Sequence, residues 1–194
     1  MKAREYPPAR ELYEAAMAQE PWNPEALLGL GELAYRMGTF ESGLEHVDRV
    51  LQLDAYDAEA NFMAGVLYRA LGRIADARDA FGWAARSMAY RSAAHAQLAE
   101  IMMGRGDWDE AARYARLALD YDRHSVPGWR AMAVIGRKTG NVRMAENALG
   151  ELLEIDPLDH FARAEEYLGT LDPPYGRPTD GNGTATDRGS APPP

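Results

Sequence analysis

Residues 68–81 read YRALGRIADARDAF, with Gly72 in the middle of the stretch. The residues on both sides of Gly72 have the composition and spacing of helices, yet glycine inside a helix costs about 1 kcal/mol relative to alanine. Glycine also adopts, more easily than other residues, the left-handed conformation in which a chain leaves a helix. The stretch therefore predicts two helices joined by a turn at Gly72.

The arrangement around Gly72 recurs every 34 residues. A large apolar residue follows each recurrent glycine by two positions, a small residue follows it by five, and another small residue precedes it by seven. Small residues let two helices approach closely, and large ones fill the space between them. In chain order, the glycines are Gly38, Gly72, Gly106 and Gly140; the large residues are Phe40, Ile74, Trp108 and Val142; the following small residues are Gly43, Ala77, Ala111 and Ala145; and the preceding ones are Gly31, Gly65, Ala99 and Ala133.

The repeats also carry signals for helix starts. Asn23 is followed by Pro24, which places a side-chain acceptor just before a proline at the first helical position. Asp57 and Ser125 occupy the equivalent places in later repeats. We therefore expect a helix to begin after each of these residues.

This pattern resembles the tetratricopeptide repeat, a helix–turn–helix unit of 34 residues. The resemblance implies an all-α fold, a right-handed superhelical solenoid of antiparallel helix pairs. Ala34, Met102 and Gly136 depart from it where the family has tyrosine. The residues that match in the second unit are Gly65, Tyr68, Gly72, Ala77, Phe81 and Ala84, and those in the fourth are Trp129, Gly140, Ala145 and Pro157.

The register divides the chain into a predicted series of segments. Four full units are expected at 24–57, 58–91, 92–125 and 126–159, and Ala9, Tyr13, Ala16 and Pro21 make 8–23 the second helix of a half-repeat. A short extension at 1–7 precedes it. Residues 160–171 are expected to form a capping helix with Phe161, Ala164 and Leu168 on one face, since a solenoid needs a polar end. Residues 172–194 are rich in proline and glycine, which predicts a disordered tail.

Composition narrows the classes of function. The net charge of −9 disfavours a nucleic-acid partner, because phosphate backbones repel an acidic surface. The chain has no cysteine, so thiol chemistry is excluded. We see neither a signal peptide nor an apolar run of membrane-spanning length, and expect a soluble, cytoplasmic protein without membrane contact.

No catalytic or cofactor motif is present in the sequence. Phosphate-binding loops, zinc-protease helices and nucleophile elbows are all missing. The four histidines occupy four different repeat positions, which argues against a metal site. The tryptophans Trp83, Trp108 and Trp129 have the spacing of core or half-buried residues. The sequence therefore predicts a protein that is not an enzyme and holds no cofactor or metal.

The resemblance implies that the first helix of each unit lines a concave groove. We expect Phe62, Met63 and Val66 to form a solvent-facing apolar patch there, and Arg69, Arg130, Arg137 and Lys138 to make one end basic. The capping helix or the tail could instead fill part of this groove. The full set of candidate peptide-binding residues is Glu32, Tyr35, Phe62, Met63, Val66, Arg69, Gln97, Glu100, Arg130, Val134, Arg137 and Lys138.

Two functions are compatible with these features. The first is a protein–protein interaction scaffold that binds a peptide or protein segment in the groove. The second is a structural module, the packing or oligomerisation part of a larger multidomain bacterial protein, in which the half-repeat at 8–23 self-associates or docks on another domain. The sequence does not identify the protein partner.

Overall fold

The computed structural model describes residues 7–171, and all regular structure in this range is α-helical. The predicted all-α fold is therefore confirmed. The helices are α1 (Pro7–Gln19), α2 (Pro24–Met37), α3 (Phe40–Leu53), α4 (Ala58–Ala70), α5 (Ile74–Ala84), α6 (Arg91–Arg105), α7 (Trp108–Tyr121), α8 (Val126–Thr139), α9 (Val142–Ile155) and α10 (His160–Leu171).

The recurrent glycines end the first helix of each pair, as predicted. Gly38, Gly72, Gly106 and Gly140 have φ values of 78°, 74°, 75° and 73°, and they are the residues with positive φ in the described range. The amide that follows Gly72 donates to the carbonyl of Tyr68 at 2.8 Å, which satisfies one of the last carbonyls of α4. The turn between paired helices is therefore the same in all four pairs.

Small residues lie where paired helices touch. A Cβ atom on Gly65 would lie 2.7 Å from the ring of Phe81, and one on Gly136 would lie 2.6 Å from the backbone nitrogen of Ala145. Both distances are too short for a side chain, so α4 packs on α5 and α8 on α9 through glycine surfaces. The first helices also pack on each other, α2 on α4 and α6 on α8, while α4 and α6 make no comparable contact.

The core consists of two clusters along the stack. One lies in the first two helix pairs and includes the fully buried Leu27, Val47 and Leu67. The other extends from the second pair to the fourth and includes the fully buried Phe81 and Ile135.

The helix starts follow the predicted caps with one difference. The side chains of Asn23 and Asp57 accept the amide protons of Ala26 and Ala60, at 2.9 and 2.7 Å. Ser125 precedes α8 as expected, but its side chain makes no capping hydrogen bond and is buried.

The two ends of the described chain are each covered by a single helix. The helix α1 packs on α2 with the ring of Tyr13 against Gly29, where a Cβ atom would lie 2.3 Å from the ring. In α10 the buried residue is Ala162, while Ala164 is exposed, so the predicted inward face was wrong at Ala164. Asp159 sets this rotation, because its carboxylate caps α10 at the amide of Ala162 and also pairs with Arg130 of α8. The side chain of Leu168, residues 1–6 and the tail at 172–194 lie outside the described residues.

Candidate functional site

The candidate groove is formed by the first helices α2, α4, α6 and α8, followed by α10. Ion pairs join α4 to α6 and α8 to α10 in this row. Arg69 of α4 pairs with Glu100 of α6, and the guanidinium of Arg137 on α8 contacts both carboxylate oxygens of Glu165 on α10, at 2.6 and 3.3 Å. Side chains that bridge neighbouring first helices must lie on a shared surface. We call this surface the groove face.

The same ion pairs correct the expectation of a basic end. Arg69 and Arg137 are paired as described, and Arg130 donates to Asp159 at 2.7 Å with its guanidinium over the ring of Phe161. Lys138 is exposed and makes no ion pair within residues 7–171. The sequence places these acidic residues far from the arginines, so only the stacking of helices shows that they neutralise them.

The expected apolar patch is also corrected. Phe62, Met63 and Val66 are half-buried and pack against the two core clusters, so they do not face solvent freely. The ring of Phe62 meets Phe81 edge-on, with ring centroids 5.5 Å apart. These residues are part of the core as well as of the groove face, because α4 and α6 are spaced widely enough for their side chains to enter between the helices.

Tyr90 is a groove-face residue that the sequence analysis missed. Its ring lies 5.4 Å from that of Phe62, and burial together with the neighbouring Glu59 carboxylate raises the pKa of the Tyr90 hydroxyl. The sequence carried one signal for this residue. Asp54, Asp122 and Asp156 occupy the same position of three repeats, and the remaining repeat has Met88 there, two residues before Tyr90.

One polar atom on the groove face lacks a partner. The Oε1 atom of Gln97 is buried and accepts no hydrogen bond within the described residues. Buried amide oxygens normally have a donor, and leaving one unpaired costs about 1–3 kcal/mol. Because this oxygen is covered, a donor on the groove face can pair with it only after the Gln97 side chain turns outward.

The remaining candidates lie toward the two ends of the groove face. Glu32 pairs with Arg36 within α2, and the ring of Tyr35 is 39% exposed and lies 5.8 Å from that of Phe40. Val134 on α8 is half-buried. The first unit therefore presents an exposed aromatic ring beside an internally neutralised charge pair.

Trp83 lies outside the groove face and is more exposed than expected. Trp108 and Trp129 are half-buried as predicted, whereas the Trp83 side chain is 41% exposed on the outer side of α5. The prediction was wrong for Trp83, because Phe81, Ala80 and Ala84 already occupy the inward face of this short helix.

Neither a metal cluster nor a membrane-spanning helix is found within residues 7–171. No group of three or more His, Asp or Glu side chains in this range is placed to hold a metal ion. The helices of the same range are too short or too polar to cross a lipid bilayer.

Comparisons with known proteins agree with the repeat architecture. The family model described as tetratricopeptide repeat matches residues 1–51. A thermophilic TPR protein from Thermus thermophilus is 21% identical, with a TM-score of 0.70 over 84% of this chain and 89% of that chain. MamA is 18% identical, with a TM-score of 0.61 over 84% of this chain and 90% of that chain. PilW, a type IV pilus biogenesis factor, is 18% identical, with a TM-score of 0.68 over 84% of each chain. A search of curated proteins found no match.

Together these findings define the class of protein as an α-helical repeat solenoid. Within that class, the fold of the chain is similar to that of tetratricopeptide-repeat proteins, and the tetratricopeptide-repeat model itself matches residues 1–51. Because the structural likenesses are below 25% identity, they establish its fold and nothing about its partner.

Proposed function

We propose that this protein is a non-enzymatic interaction scaffold whose groove face binds a segment of another protein. The observation that carries the proposal is the centre of that face, where the half-buried Phe62 and Val66 lie on α4 and the unpaired Oε1 of Gln97 lies on α6. Half-buried apolar side chains suit a peptide that supplies an apolar side chain, and the Gln97 amide can accept an N–H group of that peptide once its side chain turns outward. A rigid stack of helices binds such a segment with little loss of its own conformational entropy.

The ion pairs support this proposal because they hold the groove face in shape. Arg69–Glu100 and Arg137–Glu165 each join two helices that the chain separates by a complete repeat. They also make a strongly acidic ligand a poor fit, since the arginines already have carboxylate partners. We therefore expect a ligand of mixed or low charge.

The proposal is tested by photo-crosslinking from defined positions. A photoreactive phenylalanine analogue replaces Tyr35 on the groove face or, as the control, the exposed Asn147 on the outer helix α9. In lysate of the source organism we expect a partner to crosslink from position 35 and not from position 147. Equal crosslinking from both positions, or none from position 35, would contradict groove binding.

A second candidate function rests on α1. Leu12 is 71% exposed on this helix, and a cavity of about 500 Å³ lies between α1, α2 and α3, lined in part by Met17, Leu33 and Met37. These apolar surfaces suit self-association or packing against another domain, as a structural module requires. Light scattering would show a dimer that Leu12→Glu converts to a monomer. A monomer at every concentration would rule out self-association, and docking on another domain would remain to be tested with that domain.

A further inference from the structure

An exposed aromatic surface lies on the outer side of the second helix pair, away from the groove face. The indole of Trp83 on α5 is 41% exposed, and the ring of Tyr56, in the turn before α4, is 70% exposed. Their ring centroids are 5.1 Å apart with the planes tilted by 57°. The guanidinium of Arg86 lies over the indole at 4.5 Å from its centroid. We call these three residues the Trp83 surface.

Two open hollows border the indole of Trp83. One has a volume of about 420 Å³ and is bounded by Gly82 and Tyr114 in addition to Trp83 and Arg86. The other has a volume of about 320 Å³ and is bounded by Tyr56 and Ser87 in addition to Trp83 and Arg86. Each hollow therefore has an aromatic ring on two sides, and a ligand chain that crosses the indole could place one side chain in each.

Arginines are concentrated on the Trp83 side of this surface, while Asp54 and Asp57 flank Tyr56 on its other side. Residues 73–91 contain four arginines and two aspartates, a net charge of +2, within a chain of net charge −9. Arg73 is paired with Asp76 at 2.7 Å. Arg78 and Arg86 make no ion pair within residues 7–171, and Asp79 is the acidic residue that borders the first hollow.

We propose that the Trp83 surface binds an extended, acidic peptide segment of another protein. Apolar side chains of the peptide fill the two hollows, and a carboxylate between or beside them pairs with Arg86. Tryptophan, tyrosine and arginine are the residues that most often dominate binding energy at interfaces, since rigid rings bury large areas at low entropic cost. A carboxylate gains a charge-assisted hydrogen bond from a guanidinium that has no other ionic partner. This site is independent of the groove proposed above.

Gly82 offers a sharp test because it borders a hollow without supporting the core. A Cβ atom at Gly82 would meet no atom within 4 Å, and the same is true of Gly150, which occupies the equivalent place two repeats later in α9. Gly82→Glu therefore fills the hollow with negative charge while leaving the helix intact. Gly150→Glu makes the same change in charge and helix propensity at a place without an exposed tryptophan.

The experiment selects ligands from random 12-residue peptides displayed on phage, with the full chain as target. Selected peptides are then labelled with fluorescein and titrated by anisotropy. We expect them to combine at least one Asp or Glu with two apolar residues. Trp83→Ala and Gly82→Glu should each weaken their binding at least tenfold, and Gly150→Glu should leave it unchanged.

The results that would overturn this proposal differ from those that would contradict groove binding. Failure to select any peptide that depends on Trp83, or selection of basic peptides, would overturn the proposal. Peptides that lose binding with Tyr35→Ala but keep it with Trp83→Ala would show that the groove binds and the Trp83 surface does not. A dimer abolished by Trp83→Ala, without peptide binding, would mean that the surface pairs with a second copy of the chain.

Discussion

The junctions after α3, α7 and α9 differ from the junction after α5 in how the chain leaves the second helix of a pair. At the first three, a helix of 14 residues ends at an aspartate with extended backbone, Asp54, Asp122 or Asp156. The carboxylate of each accepts the amide proton two residues later, at 2.8, 3.0 and 2.9 Å. This side-chain turn sets the direction in which the next first helix starts.

At the junction after α5 the aspartate is replaced by Met88, which has no carboxylate to accept the hydrogen bond from the backbone amide. The helix α5 is only 11 residues long, and turns occupy residues 85–90. The Arg91 side chain donates to the carbonyls of Ala85 and Arg86, each at 3.1 Å, and so satisfies the end of α5. Met88 is 87% exposed, and Tyr90 contacts Phe62 on the groove face.

The presence of Met88 in place of an aspartate therefore coincides with changes on both faces of the solenoid. The irregular junction lies where α4 and α6 lack the close contact seen between α2 and α4, and Tyr90 and Phe62 occupy the space between them. On the outer side it lies beside the Trp83 surface. Departures from an otherwise regular pattern often mark functional sites, and both proposed binding surfaces adjoin this one.

The largest expected effect is the loss of the Phe81 ring from the core at the irregular junction. Phe81 is fully buried, lies edge-on to Phe62 and fills the space left by Gly65. Phe81→Ala should lower the free energy of unfolding by about 3–5 kcal/mol, measured by urea denaturation. Val47→Ala, at the same place in the preceding pair, removes a smaller side chain and should cost less. An equal loss of unfolding free energy in both variants would show that the two helix pairs do not differ in this respect.

A pair of glycine substitutions compares a regular turn with the exposed side of α5. Gly72→Ala places a Cβ on a residue with φ of 74° and should cost about 1 kcal/mol or more. Gly82→Ala should instead stabilise by about 0.5–1 kcal/mol, because Gly82 is helical and its Cβ would meet open space. Thermal unfolding of both variants should show shifts of opposite sign, and shifts of the same sign would contradict the assigned conformations.

The aspartate turns can be compared directly with Met88. Asp54→Ala removes the acceptor for the Tyr56 amide and should cost about 0.5–1.5 kcal/mol. Met88→Ala, at the corresponding position of the next repeat, should stay within about 0.5 kcal/mol of the wild type, since its side chain is exposed. Denaturation of the two variants side by side checks this. A cost at Met88 similar to that at Asp54 would show that both junctions depend equally on this position.

The smallest effect concerns pH at the last regular junction. The Ala162 amide, and after it the Arg130 guanidinium, hold the pKa of Asp159 below its ordinary value. A carboxyl with a lowered folded-state pKa stabilises the fold above its unfolded pKa, and this contribution is lost as the pH falls through the folded value. The wild type should therefore lose more stability between pH 7 and pH 3 than Asp159→Asn does. If calorimetry showed that the wild type and Asp159→Asn lose the same stability between these two pH values, a role for this carboxyl would be refuted.

The repeat and its within-unit turns could be predicted from the sequence because their causes are local. Gly72 and its equivalents are the cheapest residues at positive φ, and small residues such as Gly65 mark close helix contacts. The candidate groove residues were implied by the resemblance to the repeat family and remain a prediction. Their partners did not, since Glu100 is 31 positions from Arg69 and Glu165 is 28 from Arg137.

The helices, their pairing and the left-handed turn glycines are predictable from the amino-acid sequence, since these depend on backbone preferences within a few residues. Which charges remain unpaired, which apolar residues stay exposed and how Tyr90 enters the groove face became clear only from the packing of the helices. Those properties depend on the distance and rotation between successive repeats, which arise from packing across the whole stack. The junction after α5 shows the limit, because the missing aspartate is visible in the sequence while its effect on α4, α6 and Trp83 is visible only in three dimensions.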